Sequence, residues 1–157
     1  MIDALSDFTS SFAPAWQWLA VMIVGAIPFV ESYGGSALGV IAGVQPVIAI
    51  AAAIVGNIIS MLVVVLGAHT ARAKIVGEKA SAELSPRRMR LRARFDKYGV
   101  AGVSLLGQTL LPSQITSAAM VSFGAPKNTV IVWQIISIIL WGIAFGVLAT
   151  LGVYLVK

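Results

Sequence analysis

The sequence predicts an all-α integral membrane protein with transmembrane helices, two oppositely oriented re-entrant helical hairpins forming an inverted repeat, and a basic amphipathic interfacial helix. Three observations predict this fold class. Of the 157 residues, 59% are hydrophobic and 11% charged, with a mean hydropathy of +0.94, whereas soluble domains are about 25% charged. Four apolar blocks follow one another, at roughly 12–30, 34–68, 99–125 and 129–156. Nine of the eleven basic residues lie in one loop between them.

The first apolar block, residues 12–30, is expected to be a retained transmembrane helix. Asp3 and Asp7 precede it, without any Lys or Arg. A signal peptide would begin with basic residues and carry a shorter apolar core. The chain is therefore expected to keep this helix.

The second block is too interrupted at its start to be a simple span. Pro28, Glu31 and the Gly34–Gly35 pair lie within it. Each half around the glycine pair has about 10 residues, or ~15 Å of helix, which is half of a ~30 Å hydrocarbon core. The pattern predicts a re-entrant hairpin with breaks at Pro28, Gly34 and Gly35. Such a broken backbone is tolerated at membrane depth only inside protein or beside a wet cavity.

The third block repeats this pattern around a central Pro112. Polar residues surround the proline and are candidates for contact with a substrate: Gln108, Thr109, Ser113, Gln114 and Thr116. This block is predicted to be the second re-entrant hairpin. By contrast, residues 47–68 and 129–156 are long enough to cross the membrane, the latter with some tilt.

The basic loop sets the predicted orientation and domain organisation. Its positive charge places it in the cytoplasm, with the N-terminus inside and Lys157 outside. A single membrane domain is expected, with half-repeats at 1–68 and 99–157 joined by the loop at 69–98. The simpler alternative is four full spans with both ends inside.

Within the loop, the run SPRRMRLRARFDKYG is predicted to form a short amphipathic helix lying in the membrane interface. Its arginines would contact anionic lipid headgroups, and they are Arg87, Arg88, Arg90, Arg92 and Arg94. Beside membrane spans, no nucleic-acid partner is expected. Anchoring the topology is the plainer role for this helix.

Glycine spacing predicts two close helix contacts. Gly35, Gly39 and Gly43 recur every fourth residue, as do Gly142 and Gly146. Such small-residue faces allow membrane helices to approach closely.

Glu31 is the one formally charged residue between residues 8 and 71. An ionised carboxylate inside a bilayer is costly, so it should be paired, hydrated or protonated, and a proton-carrying role follows. The plainer alternative is a carboxylate near the outer headgroups. Asn57 belongs either to the same site or to an interhelical contact. With no cysteine and one histidine, the sequence offers no metal-ligand set. It also has no recognisable nucleophile–base pair or phosphate-cradling glycine loop, so no enzyme activity, metal or other cofactor is expected.

The residues also resemble a known group. The run IPFVESYGGSALG, then Gly56-Asn57, then FDKYGVAGVSLLGQTLLPSQITSAAMVSFG and a final apolar helix resemble the small multidrug export protein family, which is related to the DedA/VTT superfamily. The likeness covers roughly residues 20–150. Glu31 looks like the acidic residue of the family's first hairpin, and Pro112 like the proline of its second.

The resemblance implies two re-entrant hairpins of opposite orientation and a role in transport. For DedA-like members this is the proton-linked or scrambling movement of lipids such as polyprenyl phosphate carriers. The sequence departs from the pattern in two places. Tyr33 stands where such families often have an arginine, and no arginine follows Pro112. A phosphate headgroup would therefore lack those cations.

These observations lead to a hypothesis and two alternatives. The hypothesis is a small multi-pass transporter or flippase of the bacterial inner membrane. It would move a lipid or amphiphile of the polyprenyl phosphate type through a midplane polar site between the hairpins while Glu31 exchanges a proton. The first alternative is a proton-coupled exporter of small lipophilic cations. The second is a non-transporting membrane scaffold or assembly factor that works through its basic helix. Three spans enclose little volume, which is compatible with a homodimer.

Overall fold

The structure is helical in the part of the chain that it describes. This computed structural model describes residues 2–75, 98–108 and 111–156, in which no strand occurs. In chain order its elements are α1 (Ile2–Ser10), a 3₁₀ turn (Pro14–Trp16), α2 (Gln17–Ala26), α3 (Glu31–Ile41), α4 (Pro46–Ile75), α5 (Tyr98–Gly107), α6 (Ser113–Ser122) and α7 (Lys127–Val156). The all-α prediction is therefore confirmed.

Two helices are long and apolar enough to cross a membrane. The apolar stretch of α4 is Pro46–Ala68, with 23 residues, and that of α7 is Lys127–Leu155, with 29 residues. At about 1.5 Å per residue, both exceed the ~30 Å thickness of a hydrocarbon core. The predicted crossing segments at 47–68 and 129–156 are thus confirmed in length and composition.

The helical part of the first apolar block is only Pro14–Ala26, so the full transmembrane helix expected over residues 12–30 is wrong. α2 has only 10 residues and α3 has 11, or about 15 and 16 Å. They are separated by four residues that include Pro28. Ile27 has an extended backbone, with ψ at 125°, because a residue that precedes proline avoids the helical conformation.

The predicted break at Gly34 and Gly35 is also wrong, because both residues lie inside α3. Their small size serves packing instead. A Cβ atom on Gly35 would lie 2.9 Å from the Cα atom of Gly25 and 3.0 Å from the Cβ atom of Ala53. Only a glycine lets these backbones approach so closely.

Gly39 continues this close face of α3. A Cβ atom there would lie 2.9 Å from side-chain atoms of Val21 and of Ala49. Since Gly25 lies opposite Gly35 and Val21 opposite Gly39, α2 and α3 run in opposite directions. They form a helical hairpin whose tip is the four-residue break.

Gly43, the third glycine of the predicted face, ends α3 instead of packing. It has a φ of +90° and no neighbour within 4 Å. Its amide donates to the Val40 carbonyl and the next amide to the Gly39 carbonyl, both at 3.0 Å, which is a common helix C-terminal cap. Gly124, with a φ of +106°, follows α6 in the same way.

The order of elements therefore occurs twice. A short helix, a break containing proline, a second short helix and a left-handed glycine precede α4, and the same series precedes α7. α4 and α7 each have 30 residues. Pro46 begins α4, and Pro126 immediately precedes α7, as suits a residue whose missing N–H is not needed in the first helical turn.

The chain divides into two compact units. One comprises Met1–Ser60 with Ile138–Lys157, and the other Met61–Ser137. The buried apolar residues of the first include Val21, Val24, Val40, Ala49 and Ala53, and those of the second include Met61, Val65, Val103, Met120 and Val130. α1 joins the first unit through Leu5, which packs on Val24, Val30 and Leu38.

Candidate functional site

Glu31 is fully buried at the first position of α3. The break before it is held by the carbonyl of Ile27, which accepts hydrogen bonds from the amides of Val30 at 3.1 Å and Glu31 at 3.0 Å. Glu31 has a φ of +55° and Phe29 a φ of +72°. Such values are uncommon outside glycine and cost about 1–3 kcal/mol each. The fold thus keeps a carboxylate inside at the cost of local backbone strain.

The residue after Glu31 fixes this end of α3 against α7. The Ser32 hydroxyl donates to the Ile138 carbonyl at 2.8 Å. One turn later, Ser36 is also buried, and its hydroxyl has no hydrogen-bond partner among the described residues. The two serines face Gly142 and Gly146, where added Cβ atoms would lie 3.2 and 3.3 Å from the serine Cβ atoms. The predicted close contact at the Gly142–Gly146 pair is confirmed.

Asn57 lies at the level of Glu31 on the neighbouring helix. Gly39 is opposite Ala49, and Gly35 is opposite Ala53, so one further turn of these antiparallel helices places Glu31 opposite Asn57. Both side chains are fully buried. By this register, two predicted site residues that are 26 positions apart in sequence lie at the same level of adjacent helices.

Three aromatic rings pack together near the start of α3 and on α7. The Tyr33 ring packs on Phe145 with centroids 5.4 Å apart, and Trp141 packs on the same phenylalanine at 5.8 Å. The Tyr33 hydroxyl donates to the Phe29 carbonyl at 3.0 Å, two residues before Glu31 in the chain. The site in this unit thus combines one acid, an amide, two serines and an aromatic group.

The second predicted set lies in the Met61–Ser137 unit. Pro112 immediately precedes α6, in the break after α5. Around it Gln108, Ser113, Gln114 and Thr116 are all buried. The Thr116 hydroxyl is used locally, because it donates to the Leu111 carbonyl at 3.4 Å.

Three further buried polar residues of this unit were missed by the sequence analysis. They are Ser104 on α5, and Gln134 and Ser137 on α7. The Ser137 hydroxyl donates to the Ser104 carbonyl at 2.8 Å. Gln134 interrupts a long apolar run in the sequence, and this was the signal that could have identified it. Ser32 and Ser36 were missed as well, although their spacing of four marks one helical face.

Some predicted residues lie outside the described part of the chain. They are Thr109 and the five arginines Arg87, Arg88, Arg90, Arg92 and Arg94. The predicted basic interfacial helix and its lipid contacts lie there too.

Comparison of the chain with protein-family models, with curated proteins and with solved structures finds no match. The function is therefore inferred from the buried polar residues around Glu31 and around Pro112.

Proposed function

We propose that this protein is a small, proton-linked membrane transporter or flippase that moves a lipid or amphiphile and uses Glu31 as its proton-exchanging group. One observation carries the proposal: a carboxylate is fully buried at the head of α3, in a chain with two helices able to cross a membrane. Ionisable groups inside membranes are expensive and mark ion or substrate pathways.

The exposed surface supports a membrane location. In α4 and in α7, only 33% of the most apolar 18-residue stretch is buried. A core helix of a soluble protein is mostly buried. Large apolar side chains on these helices are exposed, among them Val47, Val63, Leu148, Leu151 and Leu155. A surface of this kind is suited to lipid contact. The proposed location is the bacterial inner membrane, with the basic loop in the cytoplasm.

The lengths of the short helices support re-entrant hairpins. α2 and α3 each reach only about half of the hydrocarbon thickness. The carbonyl of Ile27 accepts two amides in the break, which meets the need for internal hydrogen bonds at membrane depth. We take α2–α3 and α5–α6 as the two hairpins, in the inverted orientation predicted from the sequence.

This assignment changes the expected topology. Because α2 is too short to cross, the N-terminus and the start of α4 belong on one side of the membrane. With the basic loop inside, both ends of the described chain then lie outside. The N-terminus predicted inside from the sequence requires residues 12–30 to cross the membrane.

A second candidate function is export of small lipophilic cations. Tyr33, Phe145 and Trp141 form an aromatic group, and Tyr33 lies two residues after Glu31. Aromatic faces and a carboxylate together attract organic cations. In this version the carboxylate binds either a proton or the cation.

A liposome flux assay tests the proposal and separates the two candidates. Purified protein is reconstituted, a pH gradient is imposed, and movement of a fluorescent polyprenyl phosphate is compared with that of a lipophilic cation. The Glu31→Gln variant removes the exchangeable proton while keeping the side-chain shape. Asp7→Asn is the matched control, since Asp7 is exposed on α1.

We expect gradient-dependent flux of one substrate by the unmodified protein and by Asp7→Asn, and none by Glu31→Gln. Flux of the polyprenyl phosphate favours the lipid candidate, and flux of the cation favours the exporter. Full flux by Glu31→Gln would show that Glu31 does not couple transport. Absence of flux in the unmodified protein with both substrates, and with an uncharged glucosyl lipid assayed in the same way, would contradict both candidates and favour the scaffold.

A further inference from the structure

A row of buried polar side chains lies where α5 meets α7 in the Met61–Ser137 unit. Its members, here called the α5–α7 polar seam, are Ser104, Gln108, Gln134 and Ser137. The 2.8 Å hydrogen bond from the Ser137 hydroxyl to the Ser104 carbonyl joins the two sides. Gln108 follows Ser104 by four residues and Gln134 precedes Ser137 by three, so each glutamine lies on the same helix face as its serine.

The seam has hydrogen-bonding capacity that the described residues do not use. Gln134 is fully buried and Gln108 is 7% exposed. Neither the oxygen nor the nitrogen of either carboxamide has a hydrogen-bond partner among the described residues, and the same holds for the Ser104 hydroxyl. Buried polar groups normally have such partners. A bound polar ligand could supply the missing hydrogen bonds of the seam.

Repair of broken backbone does not explain these glutamines. Thr116 does serve that purpose, because its hydroxyl donates to the Leu111 carbonyl in the break at Pro112. The Gln108 carboxamide lies next to this break but bonds to none of the described backbone groups. Gln134, in contrast, lies in an unbroken stretch of α7, where the backbone amides and carbonyls bond to each other.

The uncharged side chains of the seam favour an uncharged ligand. A carboxamide both donates and accepts hydrogen bonds, as does a hydroxyl. The buried polar side chains of this unit are all uncharged among the described residues, so a desolvated phosphate would find no buried cation there. A headgroup with several hydroxyls can satisfy donors and acceptors together.

We infer that the α5–α7 polar seam binds the uncharged, hydroxyl-rich headgroup of an amphiphile. This inference rests on the proposed function, since it gives a substrate class for Gln108 and adds Gln134 to the residues that contact the substrate. It favours a sugar- or glycerol-type headgroup over a phosphate.

Equilibrium binding in lipid nanodiscs tests the inference. The full chain is placed in phosphatidylcholine nanodiscs, and binding of a monoglucosyl diacylglycerol is compared with that of diacylglycerol and phosphatidylglycerol. Gln134→Leu and Gln108→Leu each remove one carboxamide and keep a similar side-chain volume. If one variant does not fold, the other still tests the inference. Gln17→Leu is the matched control, because Gln17 lies in the other unit.

We expect the glucosyl lipid to bind tightest, and each seam variant to weaken its binding by about tenfold, as for a lost hydrogen bond to a buried group. Gln134→Leu should also raise the unfolding temperature without ligand, because it removes an unsatisfied buried amide. Gln17→Leu should leave glucosyl-lipid affinity unchanged.

Three results would overturn the inference. They are equal binding of the glucosyl lipid and diacylglycerol, as expected if water alone fills the seam, tighter binding of phosphatidylglycerol, and unchanged glucosyl-lipid affinity in the seam variants. The assay uses no pH gradient and leaves Glu31 intact. Its failure is therefore distinct from failure of the Glu31→Gln flux test.

Discussion

The Ser32 hydroxyl donates a 2.8 Å hydrogen bond to the backbone carbonyl of Ile138. Both residues are fully buried, and they are separated by 106 positions in the chain. Because Ser32 directly follows Glu31, this bond fixes the strained start of α3 against α7. The position of the buried carboxylate thus depends on a contact distant in sequence.

Ser32→Ala should destabilise the protein by about 1 kcal/mol, the usual net contribution of one hydrogen bond. Ser36→Ala is the control one turn away, since the Ser36 hydroxyl has no partner among the described residues. It should have little effect. Unfolding in detergent, followed by circular dichroism, measures both variants. Equal losses for the two serines would contradict this role of the hydrogen bond.

Gly56→Ala should destabilise the protein by about 1–3 kcal/mol, the usual cost of overpacking. A Cβ atom on Gly56 would overlap the carbonyl oxygen of Met22. Gly67 lies in the same helix, with no neighbour within 4 Å. Gly67→Ala should therefore be neutral or stabilising by up to about 1 kcal/mol. Thermal unfolding of both variants checks this, and a stable Gly56→Ala protein would refute the α2–α4 contact.

Phe29→Gly should be more stable than Phe29→Ala by about 1 kcal/mol. Both variants lose the exposed ring, but only glycine adopts a φ of +72° without strain. The same pair at Ile59, an exposed position within α4, should show the reverse order, since alanine favours helix. The unfolding temperatures of the four variants show which residue is more stable at each position. Higher stability of Phe29→Ala would argue against the left-handed backbone in the break.

Both ends of the chain should lie on the membrane face opposite the basic loop. A fluorescent reporter that matures only in the cytoplasm is fused to either end or inserted within residues 76–97. Fluorescence is expected from the insertion alone. A signal from the N-terminal fusion would mean that residues 12–30 cross the membrane after all.

The sequence was sufficient to predict the helical class and the two long helices, since apolar length alone identifies them. Pro28 and Pro112 were also predicted as breaks and lie between helices. The Gly34–Gly35 pair was misjudged because a glycine pair is compatible with a break or with close packing. Only the neighbours Gly25 and Ala53 decide between them.

The candidate site was predictable only in part. Glu31 stood out because a charge in an apolar region is rare. Its register with Asn57 could not be read from the sequence, since it depends on how α3 packs on α4. Gln134 interrupts an apolar run, but one amide has no periodic partner in the sequence to show which helix face it lies on. Its burial comes from tertiary packing.

The central claim is that Glu31 exchanges a proton when substrate binds. Infrared difference spectroscopy on the reconstituted protein measures this directly, through the C=O stretch of a protonated carboxyl group. We expect substrate addition to change that band in the unmodified protein and in Asp7→Asn, and the change to vanish in Glu31→Gln. A carboxyl signal that persists in Glu31→Gln, or a transported substrate that leaves the band unaltered, would contradict the claim.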